Sequence, residues 1–396
     1  MRVALVTHKV IKGDGQGRIN YEVAQAALRR NHQVVLIASQ IAPELNSYPS
    51  ASWVPVSVDR WPTELLRHQV FAWRSFRWLR RHGHQLDVVH VNGFITWAAA
   101  DVNASHFLHS TWHRSPVRVT RLRRDLYGVF QQWLHTALNY GVYQWLYTAL
   151  NARLERRAYG QAKVVVAVSE GTRDELMKIG IPDERICVIT NGVDLQEFYP
   201  GTSDRRELGL PEGVPLGIFV GDIRAPRKNL DTVLHALVHV RGLHLAVVGS
   251  AAGSPYLRLA RQLGLAHRIH FLGYRSDVAQ LMRAADLFVF PSRFEELPLV
   301  LLEAMASGLP VVTATTAGGD DLVNTECGIV MDDPDDAKAL AGALRWLVEN
   351  PERRNKMSRA ARGIATQHSW QRMSEQYLQL YEEVANHKEA SNGNLS

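Results

Sequence analysis

Short apolar runs alternate with glycine-bearing loops and amphipathic stretches along most of this chain. Val3 to Thr7 is the first such run and predicts a buried parallel strand. The loop Gly13-Asp14-Gly15-Gln16-Gly17 follows, then a helical pattern from Tyr21 to Arg30 carrying Val23, Ala26, Ala27 and Leu28. Val34 to Ile37 reads as the next strand. Strand, glycine loop, helix and strand make a βαβ unit, which predicts a parallel sheet. Asp87 to Val91, Lys163 to Val168 and Arg185 to Ile189 continue the strand series, with a helix signal over Arg173 to Ile179. Gln196 to Gly213, with Pro200, Gly201 and Pro211, predicts a turn-rich connector.

A second series then begins. Leu216 to Val220, Leu243 to Val248, Ile269 to Phe271, Leu287 to Phe290 and Pro310 to Thr313 are predicted strands. Helical patterns lie between them at Asp231–Val240, Tyr256–Leu263, Asp277–Ala285 and Val300–Ala306. A last helix, Gln371 to Asn386, follows Ser369-Trp370, and the polar residues 388–396 are expected to be disordered. The expected organisation is two doubly wound α/β domains, 1–198 and 199–370, with 371–387 packing back on the first. Two such domains are expected to enclose a cleft that holds a nucleotide at the strand carboxyl ends.

Composition narrows this picture. The 396 residues are 46% hydrophobic and 21% charged, which excludes a disordered or collagen-like chain. Two cysteines, Cys187 and Cys327, cannot build a disulfide framework or a cysteine-rich zinc site. Too few apolar residues precede Lys9 for a signal-peptide core, so a cytoplasmic location is expected. The net charge of +6 is uneven: residues 1–198 hold 24 Lys+Arg against 16 Asp+Glu, a balance of +8, leaving −2 for the rest. That asymmetry points to an anionic partner for the first half.

The densest chemical signal is Phe290-Pro291-Ser292-Arg293-Phe294-Glu295-Glu296-Leu297-Pro298-Leu299-Val300-Leu301-Leu302-Glu303-Ala304-Met305-Ala306. A buried strand ends at Phe290, a loop bearing two acids follows, and Pro298 marks a helix start. Backbone N–H groups around Leu297 to Val300, including those of Leu299 and Val300, would then suit a diphosphate. Glu295 in the loop and Glu303 in the helix could reach a sugar hydroxyl and a ribose. The plainer alternative is a capped helix with solvated acids.

Glu295 and Glu303 match the E-x7-E signature of retaining GT-B glycosyltransferases, and the surrounding segment resembles family 4 (glycosyl transferases group 1). The resemblance extends through Gly318-Gly319, Gly328 with Asp335, Ser369-Trp370, Asn191-Gly192-Val193-Asp194 and the opening glycine loop. It implies a GT-B fold of two Rossmann-like domains. It implies that Glu295 contacts the donor sugar near the reacting centre and that Glu303 binds the nucleotide ribose. A family lysine that stabilises the leaving diphosphate falls on Lys228. The usual arginine position is Asp222, which makes Arg224 the candidate replacement; the plainer reading leaves Arg224 and Arg227 as solvated loop charges. Gly15, Gln16 and Gly17 are expected to approach the donor diphosphate, with Arg18 adding charge. His109 is expected to face the transferred sugar, with His106 as its competitor. The resemblance also implies no metal: Asp320-Asp321 reads as a helix cap and Asp332-Asp333 as a loop.

One stretch lies outside the resemblance. Residues 114–157 open with Arg114, Arg118, Arg121, Arg123 and Arg124, run uncharged but aromatic from Leu126 to Ala152, and close on Arg153, Arg156 and Arg157. Gln131, Gln132, His135, Asn139, Gln144 and Asn151 interrupt it too often for a transmembrane helix. It suits either an interfacial segment on an anionic membrane surface or helices packed on the first domain. No nucleic-acid recognition fold is evident.

The expected function is metal-independent, retaining transfer of a sugar from a nucleotide-activated donor to a glycan or lipid-linked acceptor, needing no cofactor beyond the nucleotide-sugar substrate. The expected place is the cytoplasm, or the inner face of a membrane. A sugar-nucleotide epimerase of the same fold and a non-catalytic nucleotide-sugar-binding protein are the alternatives.

Overall fold

A computed structural model describes residues 1–114, 134–224 and 226–393, with side chains described outside 113–146, 389 and 391–393. The chain separates into two compact units, one of Met1–Thr190 with Trp370–Ser396 and one of Asn191–Ser369.

The first unit is built on strands β1 (Arg2–Val6), β3 (Gln33–Ala38), β5 (Ala51–Pro55), β6 (Val88–Asn92), β7 (Val102–Ala104), β8 (Val164–Ala167) and β9 (Ile186–Val188); β2 (Lys9–Val10) and β4 (Gln40–Ile41) form a small pair of their own. The main sheet runs β5-β3-β1-β6-β7-β8-β9, and every pairing is parallel. Its order reverses between β1 and β6. Helices α1 (Gly15–Arg29), α2 (Glu64–His82), α3 (His109–Arg114), α4 (Leu134–Gln161) and α5 (Glu170–Lys178) connect the strands. Ala4, Val6, Val35, Ile37, Val89 and Val91 pack with Phe71 and Leu79 of α2 in one core, as continuous apolar strands covered by helices require.

The second unit carries β10 (Leu216–Val220), β11 (His244–Val248), β12 (Ile269–Gly273), β13 (Leu287–Phe290), β14 (Val311–Ala314) and β15 (Gly328–Met331). The order β12-β11-β10-β13-β14-β15 is again all parallel, and it reverses between β10 and β13. Its helices are α6 (Leu230–Leu237), α7 (Tyr256–Gln262), α8 (Val278–Ala284), α9 (Leu299–Ala306), α10 (Ala337–Glu349) and α11 (Pro351–Ala365). The last helix, α12 (Trp370–Gly393), returns to the first unit. There the Tyr381 hydroxyl and His90 Nδ1 share a hydrogen bond of 2.6 Å inside the core.

Three expectations change. The units divide at Thr190/Asn191 rather than at 198/199. Asn191 Nδ2 donates to Leu297 O at 3.1 Å, Val193 N to His368 O at 2.9 Å, and Arg362 Nη1 to Phe198 O at 2.8 Å, so 191–198 is stitched to the second unit. The tail expected to be disordered from 388 is helical to Gly393, where Lys388 Nζ donates to Leu86 O at 3.1 Å; residues 394–396 lie outside the described residues. Helix α1 begins at Gly15, six residues before the apolar pattern, because Asp14 Oδ1 accepts from Gly17 N at 2.8 Å and caps it.

Of the stretch 114–157, residues 115–133 and the side chains through 146 lie outside the described residues. Within its described part, Asn151, Ala152 and Glu155 are buried, and Tyr159, just beyond it on the same helix, packs with Leu108 and Val165. That end of α4 is packed structure. No helix among the described residues is long and apolar enough to cross a membrane.

Candidate functional site

The reversal of strand order between β10 and β13 opens the loops beyond their carboxyl ends, 221–229 and 291–298, the place where open α/β sheets bind ligands. The chain fixes these loops against each other. Asn229 is buried in the left-handed region (φ 63), and its Nδ2 donates to Pro291 O at 2.9 Å and Pro334 O at 2.6 Å. Arg227 O accepts from Arg293 N at 2.8 Å and from Ser292 Oγ at 3.0 Å. The Arg293 guanidinium grips Pro226 O at 2.6 Å, Asp335 Oδ1 at 2.6 Å, and both carboxylate oxygens of Asp231 at 3.0 and 2.9 Å.

Glu295 is held from the other side. Its N–H donates to Thr316 O at 3.0 Å, and Thr316 Oγ1 donates to Ser292 O at 2.7 Å. Gly318 permits this approach: its φ is 64, and a Cβ there would overlap Glu296 O.

The result is a compact charge cluster. Lys228 Nζ lies 2.6 Å and Arg227 Nη1 2.7 Å from Glu295 Oε1, and the Lys228 and Glu295 side chains are each only 13% exposed. Lys228 Nζ also sits 5.0 Å from the centroid of the Phe290 ring. Burial holds the Lys228 ammonium below the ordinary lysine value and Arg227 adds to the effect, while Glu295 and Asp222 oppose it. Lys228 and Arg227 thus converge on the one Glu295 carboxylate oxygen.

Helix α9 begins beside this cluster in sequence. Pro298 precedes it and no side chain caps it, so the N–H groups of Leu299 and Val300 stand at its positive end. Leu299 and Val300 are half-buried; Glu303, also half-buried, follows on the second turn.

Arg224 is placed differently from expectation. It is exposed and binds Asp222, Nε to Oδ1 at 2.9 Å and Nη2 to Oδ2 at 3.2 Å, which holds the Asp222 carboxyl below its usual value. The arginine that reaches Glu295 is Arg227. Its position three residues further on lies in the short 3-10 turn Pro226–Lys228, which turns both cations toward Glu295.

The remaining predicted residues belong to the first unit. Gly15, Gln16 and Gly17 form the first turn of α1, after β1 at that sheet's own reversal point. A Cβ on Gly15 would meet nothing within 4 Å, whereas one on Gly17 would lie 3.1 Å from Asp14 and Ile11 O. Arg18 is paired with Glu22 at 2.7 Å and lies over the Trp370 ring. His109 opens α3, its ring 5.4 Å from Phe94 and 4.9 Å from Phe107. Burial, with His68 nearby, pushes it down to about 4, so it is neutral at pH 7. His106 is half-buried, as His109 is, and neither of its ring nitrogens has a partner among the described residues; burial pushes it down to about 4 as well. Sequence reading missed Glu155: Oε2 accepts from His109 N at 2.6 Å and Oε1 from Ser110 N at 3.2 Å. Its only sequence signal is a lone acid among arginines. Among the described residues no group of three His, Cys, Asp or Glu could hold a metal ion.

Comparison with known proteins agrees with this architecture. Among solved structures, sucrose-phosphate synthase from Thermosynechococcus elongatus superposes with a TM-score of 0.74 at 19% identity, covering 97% of this chain and 99% of that one. HepE from Anabaena, solved in complex with UDP and glucose, gives 0.70 at 21%, covering 97% and 100%. The fold is GT-B. Residues 13–197 match the family model described as Glycosyltransferase Family 4, and residues 201–364 match that of Glycosyl transferases group 1. The first half of the chain is thus similar to one glycosyltransferase family and the second half to another. A curated relative, D-inositol 3-phosphate glycosyltransferase from Salinispora tropica, is 33% identical over 260 residues, 59% of this chain and 54% of that protein. The chain thus spans about half the length of the curated relatives it matches.

Proposed function

We propose that the chain transfers a sugar from a nucleoside-diphosphate sugar to an acceptor hydroxyl with retention of anomeric configuration. The observation that carries this reading is the Lys228–Arg227–Glu295 cluster at the reversal point of the second sheet. Breaking the bond between the anomeric carbon and the diphosphate leaves negative charge on the departing phosphate oxygen. Lys228 and Arg227, fixed by the Asn229 and Arg293 bonds, stabilise that charge without reorganising. The N–H groups of Leu299 and Val300 add a second anion contact. Glu295, displaced from its cations by the diphosphate, turns to a donor-sugar hydroxyl, and Glu303 holds the ribose. Gly15, Gln16 and Gly17 offer close backbone approach, and neutral His109 accepts from or donates to a sugar hydroxyl. The acceptor oxygen bonds to the anomeric carbon on the face the diphosphate leaves, and the hydroxyl proton passes to the leaving phosphate. No resident metal or cofactor is needed for this balance, because two side-chain cations supply the charge. The acceptor is a glycan or a lipid-linked molecule, and the work is done in the cytoplasm or at the inner face of a membrane.

HepE is solved with UDP and glucose, which supports UDP-sugars as the first donors to try. Product analysis by NMR tests the reading. An α-linked donor is expected to give an α-linked product; a β-linked product would overturn retention, and no transfer with any nucleotide sugar would overturn the function.

A further inference from the structure

A cavity of about 400 Å³ lies in the first unit among α2, the segment after β6 and the last turns of α4. Phe76, Phe94 and Trp97 form its aromatic wall, the Phe76 and Trp97 rings 6.3 Å apart at 49°. Trp97 is 47% exposed, so the wall is open to a ligand. Gln69 of α2 with Arg157 and Gln161 of α4 supply the polar side. None of these three side chains has a hydrogen-bond or ion-pair partner among the described residues.

The backbone aims this wall. Gly93 adopts φ 71, its N–H donates to Asn103 Oδ1 at 2.7 Å, and Asn103 Nδ2 returns a bond to Gly93 O at 3.0 Å. That clamp ends β6 beside the sheet's reversal point and fixes Phe94. The Phe94 ring lines the cavity and also stands 5.4 Å from the His109 ring, so one side chain borders both.

Three chemistries can be weighed against this lining. An alkyl chain would displace water from two amides and a guanidinium without bonding them, an exchange that returns no hydrogen bonds. A phosphate would use Arg157 and leave the rings and amide carbonyls idle. A pyranose ring carries an apolar C–H face for aromatic rings and a rim of hydroxyls that both donate and accept. Amides donate and accept too. We propose that this cavity binds a sugar ring of the acceptor, which makes the acceptor a glycan. Its naming as acceptor site rests on the sugar-transfer reading; its binding of a sugar does not.

The test uses the full chain and saturation-transfer NMR with methyl pyranosides of glucose, galactose, mannose and N-acetylglucosamine, beside n-decyl phosphate and inorganic phosphate. At least one pyranoside is expected to receive saturation, with binding about tenfold or more weaker in Trp97→Ala and in the double variant Gln69→Ala/Gln161→Ala. The double variant alters only partly or fully exposed amides, so it remains informative if Trp97→Ala does not fold. No pyranoside contact, contact unchanged in the variants, or contact by n-decyl phosphate alone would overturn the proposal. Pyranoside binding that persists while no nucleotide sugar is used would remove the transfer reading and leave the sugar site standing.

Discussion

Arg293 and Asp231 form a two-pronged ion pair, Nη1 to Oδ1 at 3.0 Å and Nη2 to Oδ2 at 2.9 Å, with both side chains 11% exposed. The pair ties the loop after β13 to the start of α6 and so sets where Lys228 stands. Removing Arg293 takes the two-pronged partner from a largely buried Asp231 carboxylate, at a cost of about 3 kcal/mol. Arg293→Ala is therefore expected to lower the unfolding free energy by that order, read as a lower midpoint of denaturant unfolding at unchanged m. Donor binding should weaken as well, although Arg293 itself is turned to Pro226, Asp231 and Asp335. An unchanged midpoint would show that the brace is dispensable.

Gly318 and Gly13 make a matched contrast. Gly318 has φ 64 and no room for a Cβ against Glu296 O, while Gly13 has open space around it. Gly318→Ala should push the backbone of Glu295 away from Lys228 and cut turnover at least about tenfold, with the fold retained by circular dichroism. Gly13→Ala should stay within about twofold of wild type. Equal effects would contradict the packing argument.

Stability should respond to pH through two opposed sets of groups. Burial pushes His8, His106 and His109 down to about 4 and His90 to about 3. Between roughly pH 6.5 and 4 the unfolded chain therefore binds more protons, and stability is lost as pH falls through that window. Burial pushes Glu155 up to about 7, so its native form binds more protons than the unfolded one above pH 4.5, and its contribution is lost as pH rises toward 7. Four histidines oppose one carboxyl, and the net expectation is acid destabilisation. Melting temperatures from pH 8 to 4 check this. Glu155→Gln should steepen the decline between pH 7 and 5 by removing the opposing group; an unaltered slope would refute the assignment.

The basic excess of the first half predicts salt-sensitive association with anionic vesicles. Co-sedimentation with phosphatidylglycerol vesicles should be strong at 20 mM salt and fall steeply by 200 mM, because exposed charges are screened. Absence of binding at low salt would remove the membrane expectation.

Much of the second unit could be read from sequence because its signals are local. The apolar run before Phe290, the acid-bearing loop, Pro298 and the helix after it are adjacent in the chain, and the register of one helix places Glu303. Lys228 was legible through the family resemblance, which places a lysine after the first strand of the second domain. Arg227 was not: its choice over Arg224 depends on which guanidinium reaches Glu295, a contact 68 residues away in sequence. Arg293 with Asp231 and Glu155 with His109 are hidden for the same reason, being tertiary pairs with no fixed spacing. Among elements, β5 was missed because its residues are largely exposed at a sheet edge without alternation, and β7 because three residues carry too little pattern. Helix α2 was missed because five arginines interrupt an apolar face of Phe71, Ala72 and Leu79.

The most direct measurement is calorimetric titration of nucleoside diphosphates into wild type, Lys228→Ala and Arg224→Ala. For whichever of UDP, GDP, ADP and dTDP binds wild type tightest, Lys228→Ala is predicted to weaken binding at least about tenfold, or 1.4 kcal/mol. Arg224→Ala, whose guanidinium is engaged by Asp222 in the open, should change it less than about twofold. Equal affinity of wild type and Lys228→Ala would contradict the account.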